Sequence, residues 1–263
     1  MARVRLDILL TERGLVESRS RAAAAVMAGQ VHLGPGRRRA EKPGQLVAAD
    51  VDVSLAGLSP YVSRGGIKLA NALDAFELGV GGRRCLDVGA STGGFTDCLL
   101  QRGAEHVAAV DVAYGELHWR LREDPRVTVL ERVNARALTA GQLPYRPDLV
   151  VADLSFISLG KVLPAVLGCV ADAFDCLAMI KPQFEVGRDA ISRGGVVRDA
   201  ERRRRALIAV AEDARAHGAS VRGFASSGLP GPSGNRETFV WLAEAARPGG
   251  VGDVVAAASG VDA

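Results

Sequence analysis

The stretch Cys85-Leu-Asp-Val-Gly-Ala-Ser-Thr-Gly-Gly-Phe-Thr-Asp-Cys-Leu-Leu100 decides the fold of this chain. A short apolar run leads into a glycine-rich turn, and from Phe95 onward apolar residues recur at helical spacing. The pattern predicts a strand, a tight loop and the start of a helix, with which an open α/β sheet binds a nucleotide-like cofactor. Gly89, Gly93 and Gly94 permit positive φ and let the backbone approach a ligand closely.

The residues around this loop narrow the choice of cofactor. About twenty residues further on, His106-Val-Ala-Ala-Val-Asp111 predicts a second strand ending in an acid that can bind both ribose hydroxyls of an adenosine. The loop lacks the G-x-G-x-x-G pattern and no Walker lysine follows, which disfavours dinucleotides and ATP. S-adenosylmethionine, with ribose and adenine but no phosphate, remains as the predicted cofactor. A glycine turn that merely connects the strand and the helix is the alternative.

Length and composition predict a globular chain with a small additional domain. At 263 residues and 48% hydrophobic content, the chain can bury a full core and still form a second, smaller unit. It has no apolar run of membrane-spanning length, and its first residues are too charged for a signal peptide. The four cysteines form no C-x-x-C pair, which predicts buried free thiols and a cytoplasmic location.

The net charge of +3 is concentrated at the start of the chain. Residues 1–60 contain nine Lys and Arg against six Asp and Glu, whereas residues 61–263 contain twenty-four of each. A basic module attached to a neutral domain suggests that the module holds a polyanion.

The basic segment has a recognisable pattern. It runs Arg5-Leu-Asp7, Leu10, Gly14, Ser18-Arg-Ser-Arg21-Ala-Ala and Gly29-Gln-Val31. This pattern resembles the S4 RNA-binding domain over about fifty residues, which implies a small α+β domain. The resemblance and the charge together predict these RNA contacts: Arg5, Arg19, Arg21, Arg37, Arg38, Arg39 and, beyond the module, Arg64. A solvated surface is the alternative for any single arginine.

Strand and helix patterns alternate through the rest of the chain. Further strands are predicted at 126–130, 148–155, 176–182, 220–226 and 237–243, with a long helix at 199–217. This order predicts an α/β fold with a Rossmann-like, seven-stranded sheet. The predicted domains are an RNA-binding domain at 1–58, a linker at 59–64, a catalytic domain at 65–246 and a loosely ordered tail at 247–263. In the small domain, residues 47–55 are predicted to form one closing strand.

Four charged residues stand at predicted strand or helix ends, namely Lys68, Asp153, Lys181 and Glu237. Because the carboxyl ends of parallel strands line one crevice, Asp153 and Lys181 are expected beside the reactive end of the cofactor. A purely structural salt-bridge network is the alternative. The predicted cofactor-binding residues are Gly89, Ala90, Ser91, Thr92, Gly93, Gly94, Phe95, Asp111, Asn134, whose amide could approach the adenine, and Asp153.

The charged tetrad and the glycine loop resemble the FtsJ/RrmJ-like ribose 2′-O-methyltransferases. The whole arrangement resembles the TlyA family, whose members are often called hemolysins. The blocks that carry this resemblance are the basic module, Val62-Ser-Arg-Gly-Gly-x-Lys68-Leu, Asp87–Thr96, Val151–Ser158, Lys181-Pro-Gln-Phe-Glu185 and Gly231-Pro-x-Gly-Asn235-x-Glu237. The resemblance implies 2′-O-methylation of cytidine in 16S or 23S ribosomal RNA, or in both, with S-adenosylmethionine as the donor.

The chemistry suggests a role for each member of the tetrad. A ribose hydroxyl is a poor acid, so a base must take its proton, and a lysine can do so when a nearby cation or desolvation favours its neutral form. Lys181 is the predicted base, with Lys68 supplying positive charge. Asp153 is expected to orient Lys181, and Glu237 to hold Lys68 and the ribose.

Two other classes of protein compete with this interpretation. One is an RNA-binding module on a methyltransferase fold that has lost activity, and the intact tetrad argues against it. The other is a membrane-active hemolysin, which would need an apolar or amphipathic insertion segment. We further expect no metal, since His and Cys do not cluster, and a monomer that binds ribosomal subunits.

Overall fold

The computed structural model describes residues 3–16, 18–36, 38–55, 60–187 and 194–261. They form two compact units, Met1–Ser59 and Pro60–Ala263. The predicted linker at 59–64 does not separate the two units, because Pro60 and the residues after it belong to the second unit. Ser63 there is the N-cap residue of a helix.

The first unit is a small α+β structure with two sheets. Its elements are β1 (Arg3–Arg5), α1 (Leu6–Glu12), α2 (Arg19–Met27), β2 (Val31–Leu33), β3 (Arg38–Arg39), β4 (Leu46–Ala48) and β5 (Val53–Leu55). β1 pairs with β4, while β2 lies between β3 and β5. Leu6, Leu10 and Val31 are fully buried in its core. The single strand predicted over 47–55 is wrong, since the amide of Val51 bonds to the carbonyl of Ala48 and this turn sends β4 and β5 into different sheets.

The second unit is built on one seven-stranded sheet, as predicted. Its elements are α3 (Arg64–Ala75), β6 (Arg84–Val88), α4 (Gly94–Gln101), β7 (His106–Asp111), α5 (Trp119–Arg122), β8 (Val127–Glu131), β9 (Leu149–Ala152), α6 (Leu163–Leu167), β10 (Asp175–Ile180), α7 (Pro182–Glu185), α8 (Ala200–Ala216), β11 (Ala219–Ser226), β12 (Thr238–Glu244) and α9 (Val254–Ser259). The strand order is β11-β12-β10-β9-β6-β7-β8. β12 runs antiparallel to both of its neighbours, while β10, β9, β6, β7 and β8 pair in parallel. The chain therefore has the Rossmann-like architecture that the sequence predicts.

Helices cover both faces of this sheet. Leu69 of α3 and Leu99 of α4 belong to one apolar cluster, and Leu163 of α6 and Leu207 of α8 belong to the other. The four cysteines are buried free thiols, as predicted. Burial raises the pKa of the Cys85 thiol to about 12, so this group stays protonated and serves packing.

The segment 247–263, predicted to be a loosely ordered tail, contains a helix. Residues 254–259 form α9, which Asp253 caps by accepting a hydrogen bond from the amide of Ala256 at 3.0 Å. Val254 and Ala258 are buried in the same cluster as Leu207. These two residues are four positions apart and so lie on one face of the helix, and their burial holds the segment on the domain. Residues 262 and 263 lie outside the described residues.

Candidate active site

The candidate site lies where the parallel strands of the large sheet end, at their carboxyl ends. The glycine loop follows β6, Asp153 follows β9, and Lys181 follows β10. Glu237 comes directly before β12, which runs antiparallel to β10 with Ile180 opposite Thr238. The start of β12 therefore meets the carboxyl ends of the parallel strands, and the topology gathers all four segments at the same edge.

A cavity of about 420 Å³ opens between these segments. Its walls come from the start of α3, the glycine loop, the ends of β9 and β10 and the proline-containing loop before β12. The lining residues are Ser63, Arg64, Gly65, Lys68, Gly89, Ala90, Ser91, Thr92, Gly94, Phe95, Asp153, Ser155, Lys181, Pro230 and Pro232. The structure thus brings most of the predicted cofactor residues together with three members of the charged tetrad.

The tetrad forms two lysine–carboxylate pairs. Lys181 Nζ lies 2.5 Å from Asp153 Oδ1. Lys68 Nζ donates to Glu237 Oε2, and both of these side chains are buried. Each lysine is thereby held in a fixed position at the cavity, and each buried charge has an opposite charge beside it.

Further contacts hold Lys181 and the loop after β9 in place. The Lys181 ammonium donates to the Ser155 hydroxyl at 3.0 Å. Glu185, at the end of α7, accepts from the Ser158 hydroxyl at 2.6 Å and from the Leu159 amide at 2.9 Å. Burial raises the pKa of the Glu185 carboxyl. Glu185 therefore ties the segment carrying Lys181 to the segment carrying Asp153.

The glycine loop has positive φ at Gly89 and Gly93, as its sequence predicts, but not at Gly94, which begins α4. Gly89 has φ +86°, and a Cβ there would lie 2.5 Å from the carbonyl oxygen of Asp153. Ser91 adopts φ +47°, which is uncommon for a residue with a side chain. Its amide donates to Asp111 Oδ2 at 2.7 Å, while Asp111 Oδ1 accepts from the Ala113 amide at 2.8 Å. Asp111 therefore anchors the glycine loop through the Ser91 amide.

A narrow cleft of about 10 Å³ lies beside this loop. Ala90, Ala109, Leu117 and Val129 contribute apolar surface to it, and Asp111 and Glu131 contribute carboxylates. Its apolar walls and acidic edge match the chemistry of an adenosine, but its volume is that of about one water molecule. Glu131 was not among the residues predicted from the sequence.

Two predicted cofactor residues lie elsewhere. Gly93 has φ +93°, but its missing Cβ would lie 2.3 Å from Leu121 and 2.8 Å from Leu117, so the glycine serves packing of α5. Asn134 accepts a hydrogen bond from the Arg136 amide at 3.1 Å and caps a short 3-10 turn. Neither residue lines the cavity or the cleft.

The described arginines that are predicted to contact RNA fall into three groups. Arg5 and Arg19 both pair with Asp7, and the hydrogen bond from Arg5 is the largest factor that holds the pKa of that carboxyl well below its usual range. Arg21, Arg38 and Arg39 are exposed, and none of them pairs with a carboxylate of the described residues. Arg64 lies in the second unit, lines the cavity and donates to the carbonyl of Pro230 at 3.1 Å. Arg37 lies outside the described residues.

Several residues of the site were not singled out from the sequence. Ser63, Ser155, Pro230 and Pro232 line the cavity, and Glu185 supports it. Ser63, Ser155, Pro232 and Glu185 stand within the sequence blocks that carry the family resemblance, which was the available signal. Small polar residues and prolines carry no charge pattern, so their roles depend on the folded geometry.

Within the ranges that the structure describes, no group of three or more His, Cys, Asp or Glu side chains could hold a metal ion. In the same part of the chain, no helix combines the length and apolar character needed to cross a membrane.

This fold with a glycine loop and charged side chains at the strand ends is the architecture of a methyltransferase. The model of the FtsJ-like methyltransferase family matches residues 61–244. TlyA of Mycobacterium tuberculosis, a 16S/23S rRNA (cytidine-2′-O)-methyltransferase, is 52% identical over 91% of this chain and 90% of its own length.

Two further proteins are similar to the chain. TlyA of Campylobacter jejuni, a 23S rRNA (cytidine-2′-O)-methyltransferase, is 30% identical over 69% of this chain and 70% of its own length. A solved structure of a candidate hemolysin from Streptococcus thermophilus has a TM-score of 0.75 and 38% identity, and the match covers 98% of this chain and 95% of that one. The chain belongs to the FtsJ-like methyltransferase family and, within it, to the TlyA family, which confirms the resemblance seen in the sequence.

Proposed function

We propose that this enzyme transfers a methyl group from S-adenosylmethionine to the 2′-hydroxyl of a cytidine in ribosomal RNA. The observation that carries the proposal is the cavity itself, where a glycine loop meets two lysine–carboxylate pairs. The 52% identity to an rRNA (cytidine-2′-O)-methyltransferase supports the choice of substrate.

The residues at the strand ends fit the cofactor. Gly89 lets the loop approach the Asp153 carbonyl, whose oxygen would lie 2.5 Å from a Cβ, and Asp111 offers carboxylate oxygens at the edge of an apolar cleft. When bound, S-adenosylmethionine supplies an electrophilic methyl group on a sulfonium. In our proposal, the cofactor is held by the loop residues that line the cavity and by Asp111, and Asp153 lies beside its reactive end.

Lys181 is the proposed general base. Its amine would take the proton of the ribose hydroxyl as the oxygen attacks, and the contacts with Asp153 and Ser155 aim the nitrogen into the cavity. In this role the two oxygen partners orient the lysine, and Lys68 adds positive charge near the oxygen that becomes negative. The buried pair of Lys68 with Glu237 keeps that charge at a fixed place.

We propose that the small basic unit binds the RNA. Arg21, Arg38 and Arg39 are exposed, and positive charge is sufficient for phosphate contacts. An enzyme with this substrate acts in the cytoplasm, on ribosomal subunits or their RNA, and we propose that it does so as a monomer.

The test is to map 2′-O-methyl groups on 16S and 23S rRNA from cells with and without the gene. We expect at least one cytidine to lose its methyl group in the deletion strain and to regain it with purified enzyme and S-adenosylmethionine in vitro. Identical methylation maps would reject the proposal. Cofactor binding without transfer to either purified subunit would instead favour the inactive RNA-binding module.

A further inference from the structure

A second cavity borders the loop that leads into Glu237. It has a volume of about 430 Å³, and its lining includes Arg198, Arg203, Ser233, Gly234 and Arg236. The loop thus contributes Pro230 and Pro232 to the active-site cavity and the next residues to this one.

The lining of this cavity is strongly positive. Three of its residues are arginines, and among the described residues that line it there is no carboxylate. Among the acids that the structure describes near the cavity, Asp199 caps α8 through the amides of Glu201 and Arg202. Glu201 in turn pairs with Arg204 and Arg205 on the outer surface of α8.

The walls of the cavity are tied to one another. The buried Asn235 accepts from the Val197 amide at 2.9 Å and donates to the Gly195 carbonyl at 2.8 Å. Arg203 is buried and donates to the carbonyl groups of Val197 and Arg198 at 3.2 and 2.7 Å. These hydrogen bonds hold three elements together around the cavity, namely the segment carrying Arg198, the helix α8 and the loop carrying Arg236.

We propose that this cavity binds a backbone phosphate of the RNA substrate, close to the nucleotide that is methylated. Guanidinium groups match the oxygens of a phosphate with paired hydrogen bonds, and the Ser233 hydroxyl adds a further donor. Gly234 has φ +94° with open space where a Cβ would stand, so the backbone is accessible to a ligand. This inference rests on the proposed function, because it takes RNA as the source of the phosphate.

The position of the cavity explains why such a site would matter. Arg236 directly precedes Glu237, which holds Lys68 in the active site. A phosphate bound at Arg236 and Arg198 would fix the RNA backbone against the loop that shapes the active-site cavity. The site would thereby set the position of the target ribose without touching the reacting atoms.

The double variant Arg198→Gln with Arg236→Gln tests the proposal, because both side chains are exposed and their replacement spares the buried anchor Arg203. Binding of transcribed 16S and 23S rRNA is measured by filter retention between 50 and 300 mM KCl. We expect about tenfold weaker binding at 100 mM KCl and a salt slope smaller by about 1, the effect of one lost phosphate contact. Cofactor affinity should stay unchanged, and the pair Arg198→Lys with Arg236→Lys should restore the salt slope.

The matched control is Arg205→Gln, which removes one exposed arginine from the same helix but does not line the cavity. Equal loss of RNA affinity in this control would overturn the proposal, as would wild-type affinity and slope in the double variant. Weaker binding of inorganic phosphate with unchanged RNA binding would also overturn it. Methyl transfer is measured in a separate assay. A wild-type enzyme that binds rRNA without methylating it would reject the proposed function, but the rRNA binding measured for the variants would still test the phosphate site.

Discussion

Replacement of Lys181 separates a catalytic base from a structural ion pair. If Lys181 takes the proton of the ribose hydroxyl, Lys181→Ala should lower single-turnover transfer by roughly 10²–10⁴-fold, the usual contribution of a general base. In barrier height this is about 3–5 kcal/mol. Affinities for the cofactor and RNA should change little, because a base acts in the transition state.

The same substitution also has a cost in stability. Lys181→Ala leaves Asp153 without its cation at 2.5 Å. Loss of one partner from a fully buried pair costs about 3–5 kcal/mol, but the Asp153 side chain is 24% exposed, so we expect about 1–2 kcal/mol here. For a domain of this size, that corresponds to a fall in Tm of about 2–8 °C.

Lys181→Arg distinguishes the two roles. A guanidinium preserves the charge opposite Asp153, so Tm should stay within about 2 °C of the wild type, but it cannot release a proton near neutral pH. Transfer should therefore fall nearly as far as in Lys181→Ala. The assay is single-turnover methyl transfer to purified ribosomal subunits, with thermal melting in parallel and the exposed Lys161→Arg as the control. Transfer by Lys181→Arg within about threefold of the wild type would refute the assignment of the base.

Three further perturbations probe the cofactor loop, the buried pair and the buried acid. Gly89→Ala should weaken cofactor binding more than about tenfold in calorimetry, because its Cβ would push the Asp153 carbonyl away. The control Gly82→Ala, also at positive φ but with open space around the Cβ, should only lower Tm, by an amount equivalent to about 1–2 kcal/mol. Equal cofactor affinities of the two variants would contradict the predicted role of the loop. Glu237→Gln should destabilise the fold by about 3–5 kcal/mol, because it leaves Lys68 buried beside a neutral amide. The double variant Lys68→Met with Glu237→Leu should recover Tm in thermal melts without restoring methyl transfer. Methyl transfer by the double variant would show that neither residue is needed for catalysis. Burial raises the pKa of the Asp87 carboxyl to about 7, above its ordinary value of 3.8, so its contribution to stability should be lost as pH rises from about 4 through about 7. The difference in Tm between the wild type and Asp87→Asn should follow this fall. A difference that does not change with pH would show that Asp87 does not titrate in this range.

The sequence by itself determined the elements and the edge of the sheet where the site lies. Strand and helix periods are local properties, so the seven strands could be predicted from spacing and the turn from its glycines. Parallel strands end at one edge in any fold of this class, and this places Asp153 and Lys181 together without knowledge of the packing. Boundaries were less predictable, since the break between β4 and β5 and the helix α9 depend on which partners are available in the folded chain.

The tertiary structure decided how side chains from distant segments pair. The spacing in the sequence did not reveal that Gly93 serves the packing of Leu117 and Leu121, or that Asp111 anchors the amide of Ser91. It also gave no sign that Arg198 and Arg236 would meet at one cavity, because one precedes α8 and the other follows β11. Such contacts depend on the direction of each side chain and on the closure of long loops, and neither is encoded in a local pattern.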